Sequence, residues 1–228
     1  WKVRQVRMTS RSTYSNLFWK GGTVVLAVFL LGVGGLYYQA NAGESVGSSQ
    51  EKTVLAAEHR AIGNPEAPIR VVEFFDLACP HCQDFALNTF PKIRKNYIDT
   101  GKVVWIFRDF PIGRSHPNAP QAHSILSQVP FSQYLNAKKK IMRDADQWTA
   151  ASNGNAENYF DFFARRYGLN LSSKIIERQA RQLMQRRNVG AQIGVRSTPS
   201  FLVNGELYQG GLPYRRWEQI LDSRLNQQ

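Results

Sequence analysis

The chain has two cysteines in 228 residues, and they stand three apart as Cys79-Pro80-His81-Cys82, directly after the apolar run "IRVVEFF". That run, Ile69 to Phe75, is β-branched and aromatic and follows the turn-forming "GNPEAP", so it is expected to be a buried strand. Beyond the cysteines, apolar residues recur at Phe85, Leu87, Phe90, Ile93 and Tyr97, near helical spacing. Pro80 suits the first helical turn, where its missing N–H costs nothing, and Pro91 should kink the helix. The pair is therefore delivered by a strand to the tip of a helix. "GKVVWIFRDFP", Gly101 to Pro111, predicts a second strand. Together these make a β-α-β unit, whose crossover should be right-handed.

Residues 117 to 190 are helical in pattern, with breaks near Pro130, at "SNGN" and at Gly168. Lys138-Lys139-Lys140 in this block is expected to be a solvated helix face. Two short strands then flank Asn204-Gly205, a strong hairpin signal, and "PYRRWEQILDSRL" closes the chain as a helix. The order is β-α-β, a helical block, then β-β-α, an α/β chain without an internal repeat.

A chain that is 43% hydrophobic can build a core without disulfides, so the proximity of the cysteines asks for a chemical reason. The net charge is +12. Lys2, Arg4, Arg7, Arg11 and Lys20 stand in residues 1–20 with no acid among them, and all 17 acids lie beyond Ala42. No zinc-finger spacing, RNA-recognition signature or helix-turn-helix accompanies this charge, so no nucleic-acid partner is expected. Residues 21–42 are apolar or small from Thr23 to Tyr38 and carry no charge. With the basic flank before it, this segment is expected to be a signal peptide h-region, cut after Ala40-Asn41-Ala42, or a transmembrane anchor. Either delivers the rest to an extracytoplasmic space, where disulfides persist. Residues 43–58 are expected to be a flexible linker and residues 59–228 the folded domain, with a helical insertion at about 115–192. Met8 is a candidate start residue.

A cysteine at a helix tip meets unpaired backbone N–H groups and the positive end of the dipole, both of which favour a thiolate. Cys79 should therefore have a lowered pKa, and His81 would lower it further as a charge or hydrogen-bond donor. Cys82, one turn on, lies where a disulfide can bridge. A stabilised thiolate stabilises the reduced pair and makes its disulfide a stronger oxidant. Cys79 is expected to be the exposed, attacked sulfur. Other uses of the same residues are a structural disulfide, or a copper or zinc site on Cys79, His81 and Cys82 with a fourth ligand from His59, His116 or His123. The expectation adopted is no metal.

"GNPEAPIRVVEFFDLACPHC", "GKVVWIFRDFP" and "GVRSTPSFLVNG" together resemble the DsbA-like thiol:disulfide oxidoreductases of the thioredoxin superfamily, over roughly residues 60 to 226. The resemblance implies a thioredoxin fold with an inserted helical domain and the active-site tetrapeptide Cys79-Pro80-His81-Cys82. It implies a cis Pro199 against the cysteines, with the Thr198 backbone pairing to an extended substrate. Glu73 matches the family's buried acid, placed to accept or relay the proton of Cys82. No cofactor beyond the redox-active disulfide is implied. The implied partners are exported proteins with free thiols and a membrane redox partner that resets the pair. Thr198 stands where the strong oxidant has valine and is more familiar among isomerases. An oxidase is the expected activity. An isomerase or reductase, and a non-catalytic metal- or peptide-binding module, are the alternatives.

Overall fold

The computed structural model describes residues 60–113, 115–149 and 155–227. The basic flank, the hydrophobic segment, the linker and His59 lie outside the described residues. Among the described residues no helix is long and apolar enough to cross a membrane.

Five strands make one mixed sheet in the order β1-β3-β2-β4-β5. They are β1 (Ala61–Ile62), β2 (Ile69–Phe75), β3 (Val103–Asp109), β4 (Ser200–Val203) and β5 (Glu206–Gln209). The two runs anticipated around the cysteines become β2 and β3, paired in parallel from Ile69↔Val103 to Phe75↔Asp109. β2 also pairs antiparallel with β4, setting Glu73 opposite Phe201. The short edge strand β1, antiparallel to β3, had no signal in the sequence. The β4–β5 hairpin turns at Asn204 (φ 46°) and Gly205 (φ 88°). Two left-handed residues in succession are what a two-residue hairpin of matching twist requires, and Asn-Gly supplies them at least cost.

Period-two alternation gives the sheet two buried faces. Val71, Phe75, Trp105, Phe107, Phe201 and Val203 enter the larger core, with Phe85 and Trp217 packed against them. Val72, Phe74, Ile106 and Leu202 enter a smaller one. Glu73 follows Val71 and Phe75, so its carboxyl falls on the larger-core face.

Helix α1 follows β2 in four segments, Pro80–Asp84, Phe85–Thr89, Phe90–Ile93 and Arg94–Ile98, the second and fourth being π-helical. The widening before Pro91 has a local cause. Proline cannot donate to the preceding turn and its ring crowds the carbonyl there, and an extra residue per turn relieves both. Helices α2 (Ala119–Leu126), α3 (Phe131–Arg143), α4 (Asn155–Tyr167) and α5 (Ser173–Gln192) lie between β3 and β4, and α6 (Tyr214–Leu225) follows β5. At Gly190 of α5, a Cβ would come within 3.0 Å of ring carbons of both Phe74 and Phe110. That glycine lets α5 approach the smaller core.

One expectation fails here. Lys138 of α3 is not on a solvated face: it keeps 4% of its surface. The helix buries Tyr134, Ala137, Ile141 and Met142, and Lys138 falls on that stripe by its spacing.

Candidate active site

The carboxyl end of β2 and the start of α1 meet the loop before β4. Cys79 is the N-cap residue of α1, with Pro80 in the first turn. The Thr198-Pro199 bond is cis. As a thiol, Cys79 donates to the Thr198 carbonyl oxygen (3.3 Å), so the two loops touch at the sulfur. Both cysteines are free thiols and both are buried. The expected exposed sulfur is thus corrected: Cys79 keeps 5% of its surface and Cys82 none. The Thr198-Pro199 loop meets the first turn at the Cys79 sulfur.

The two thiols are held in opposite states. The Cys79 pKa drops from an ordinary 9.0 to about 5. The largest cause is the Cys82 thiol as a hydrogen-bond donor, which overcomes the cost of burial. Thr198 and the backbone N–H groups of Cys82 and His81 add to it. Burial and the neighbouring Cys79 push Cys82 well above its ordinary value. Near neutral pH the pair is one thiolate accepting from one thiol. His81 acts differently from the expectation: its side chain is exposed, and what it gives Cys79 is its backbone amide. The Thr198 hydroxyl is buried without a partner in ordinary hydrogen-bond geometry, within electrostatic reach of both sulfurs.

Glu73 is buried below, but its bonds go elsewhere. Lys138 Nζ donates to Oε1 (2.7 Å) and Trp105 Nε1 to Oε2 (2.9 Å). The ammonium also sits 3.9 Å from the Phe75 ring centroid and 4.4 Å from that of Phe107. No hydrogen bond joins Glu73 to either sulfur among the described residues. Each of its oxygens thus accepts one hydrogen bond, one from an ammonium and one from an indole.

A second polar group was not anticipated. Asp76, just past β2, is fully buried. Its Oδ1 accepts from the Ala78 amide (2.9 Å), and its Oδ2 from the Ile112 amide (2.7 Å) and His116 Nδ1 (2.7 Å). His123 of α2 bonds Asp109 Oδ1 through Nδ1 (2.7 Å). Of the histidines considered as a fourth metal ligand, His116 and His123 are thus committed to carboxylates. No three His, Cys, Asp or Glu residues gather as a metal site among the described residues. The available signal for His123 was its place on the buried stripe of α2, with Ala119, Ala122 and Leu126.

This cluster gives the fold an acid limb. Burial alone would raise the Asp76 carboxyl, but the hydrogen bond and charge of His123, His116 and the Ile112 amide outweigh it, and its pKa falls from 3.8 to about 2. A carboxyl depressed in the folded state contributes stability above its unfolded pKa and loses it as pH falls through the folded one. Denaturant midpoints are therefore expected to fall between about pH 4 and pH 2, and Asp76→Asn should flatten that limb by about 2 kcal/mol. Urea titrations of both proteins at several pH values measure it.

A family model described as thioredoxin matches residues 56–223. A Bacillus anthracis protein described as a probable disulfide bond formation protein D is 29% identical over 159 residues, 65% of this chain and 70% of that protein. The disulfide bond formation protein D of Bacillus subtilis is 48% identical over 46 residues, 20% of this chain and 21% of that protein. The chain thus spans about a fifth of that second relative's length. The crystal structure of Wolbachia pipientis alpha-DsbA1 superposes with a TM-score of 0.63 at 23% identity, over 74% of this chain and 91% of that one. That likeness is one of fold.

Proposed function

The chain belongs to the thioredoxin family as a DsbA-like thiol:disulfide oxidoreductase, and from that premise we propose that it is an extracytoplasmic oxidase donating the Cys79–Cys82 disulfide to exported proteins. A substrate thiolate attacks Cys79 Sγ of the disulfide. The S–S bond to Cys82 breaks, Cys82 leaves with the electron pair and takes up a proton, and substrate and Cys79 are joined. A second substrate thiolate attacks the substrate sulfur of that link, and Cys79 leaves as a thiolate. The substrate gains one disulfide and the pair is reduced by two electrons. Thr198 meets Cys79 at the sulfur, and in this proposal an extended substrate adds its backbone to that of Thr198 there.

The observation that carries the direction is the Cys79 pKa of about 5. At pH 7 this raises the thiolate fraction about 100-fold over an ordinary thiol. The fall in basicity costs about 40- to 100-fold in intrinsic nucleophilicity. The two nearly cancel, so Cys79 gains little as an attacking group. As a leaving group it gains throughout, because a lower pKa departs faster. The reduced pair is also stabilised at pH 7 by the two pKa units between 7 and 5, about 3 kcal/mol or ~60 mV toward the oxidising side. Both effects favour giving the disulfide away.

Residues 59–228 form the catalytic domain in this proposal, and residues 21–42 export or anchor it. A membrane redox partner reoxidises Cys79 and Cys82. Glu73 with Lys138 supports the floor of the site. The second reading, an isomerase or reductase, rests on Thr198 in place of valine. Equilibration with glutathione buffers separates them. A potential well above the thioredoxin value of about −270 mV is expected, and a value near it overturns the oxidase.

A further inference from the structure

Four consecutive amides follow β2, and each ends on a group of the site. Asp76 N–H donates to Cys82 Sγ (3.5 Å) and Leu77 N–H to His123 Nε2 (3.1 Å). Ala78 N–H donates to Asp76 Oδ1 (2.9 Å) and Cys79 N–H to the Asp76 carbonyl (3.1 Å). Three of these four acceptors are side chains that titrate.

His123 is the member of this set with two uses for one atom. Its Nδ1 faces Asp109 Oδ1 at 2.7 Å, which places a proton on Nδ1. Its Nε2 accepts from Leu77, which makes the ring neutral. Asp76 Oδ1 stands 3.9 Å from the same Nε2. A second ring proton would abolish the acceptor of the Leu77 amide. It would also create a donor facing Asp76 Oδ1, the carboxylate oxygen now bonded to Ala78. An amide left unpaired in a buried site is costly, so the turn must shift to a second hydrogen-bond set.

We propose that His123 is a positioning residue for the dithiol, holding the Leu77–Cys79 turn through Leu77 when neutral and releasing it when protonated, its new Nε2–H then competing with Ala78 for Asp76 Oδ1. The inference rests on Cys79 and Cys82 being the exchanging pair. It makes the exchange equilibrium depend on a proton bound outside the two cysteines, because the same turn sets the Asp76 amide on Cys82 Sγ.

The groups facing His123 come from several elements. Asp109 ends β3, Asp76 follows β2, and Leu77 approaches Nε2. Arg186 of α5 lies 3.3 Å from Asp109 Oδ2, Arg60 adds its charge to the same carboxylate, and His116 occupies Asp76 Oδ2. The Phe75 ring packs on the imidazole at 5.2 Å, with Lys138 over that ring. Burial disfavours the second proton, but Asp109 and then Asp76 outweigh it and raise the His123 pKa above 6.5.

The test follows the ring nitrogens of His123 and the Leu77 amide by NMR in the full chain with reduced cysteines, from pH 5 to 9. Both should titrate at one pH, and the glutathione equilibrium constant should show a step there. His123→Gln keeps an acceptor for Leu77 and cannot titrate, so the Leu77 inflection and the step should both be lost. A Leu77 amide that does not follow His123, or a His123→Gln profile identical to the parent, overturns the proposal. Should the variant fail to fold, the parent spectra decide alone. Joint titration of His123 and Leu77 in a chain that exchanges no disulfide would sink the oxidoreductase reading and leave the positioning role standing.

Discussion

Cys82→Ala is expected to abolish turnover and to raise the pKa of Cys79. The first effect is chemical: with one sulfur gone, no disulfide remains to donate. Catalysed oxidation of a dithiol peptide should fall to the rate without protein. The second effect is electrostatic. The Cys82 thiol is the largest cause of the low Cys79 pKa of about 5. A hydrogen bond to a charged acceptor contributes ~1.5–3 kcal/mol, or about one to two pKa units. Thiolate absorbance should therefore move the Cys79 titration to roughly pH 6–7 in the alanine variant. Cys82→Ser keeps a hydroxyl donor at the same place. It should be equally inactive yet titrate closer to the parent. If both variants titrate like the parent, the backbone amides of the first helical turn and Thr198 hold the thiolate unaided, and Cys82 serves only in bond exchange.

The sequence was legible wherever structure is local. β2, β3, the helix carrying the cysteines and the Asn204-Gly205 turn are each dictated within about ten residues, and they fell where the pattern placed them. The meeting of Cys79 with Thr198 came from a family resemblance, since 119 residues separate the two and no local signal joins them. What stayed hidden was the polar layer under the site. Lys138 opens a run of three lysines, and composition therefore assigns it to solvent. Its position relative to Tyr134, Ala137 and Ile141 assigns it to the core instead, and its partner Glu73 is 65 residues away. Asp76 and His123 were obscured in the same way. Charge is read from identity, whereas burial is read from period, and the two disagree where a buried ion pair occupies an apolar stripe. An acid on a central strand, such as Glu73, is the cue that a cation must be sought on the helix stripes that face it.

Lys138→Met should be the most destabilising change in that layer. Methionine nearly conserves the volume between Phe75 and Phe107, so packing changes little. Electrostatics changes a great deal. The Glu73 carboxylate keeps its bond from Trp105 but loses the ammonium 2.7 Å away, and its full burial withholds it from bulk solvent. Breaking a buried pair from one side costs ~3–5 kcal/mol, because a charge is left without compensation. The cost should shrink as pH falls, since a protonated carboxyl is cheaper to bury than a carboxylate. Glu73→Gln in the same background should recover much of the loss: its carbonyl oxygen still accepts from Trp105, and no charge remains. Urea denaturation of the parent, the two single variants and the double variant closes the cycle and measures the coupling between the two residues. A cost below about 1 kcal/mol for Lys138→Met would mean that the carboxylate is solvated despite its burial. The opening would then be the cleft between α1 and α3 that Phe90, Leu135 and Lys138 line, and Glu73 would be a group in exchange with bulk water. A loss of several kcal/mol, relieved by acid and by Glu73→Gln, establishes the sealed pair.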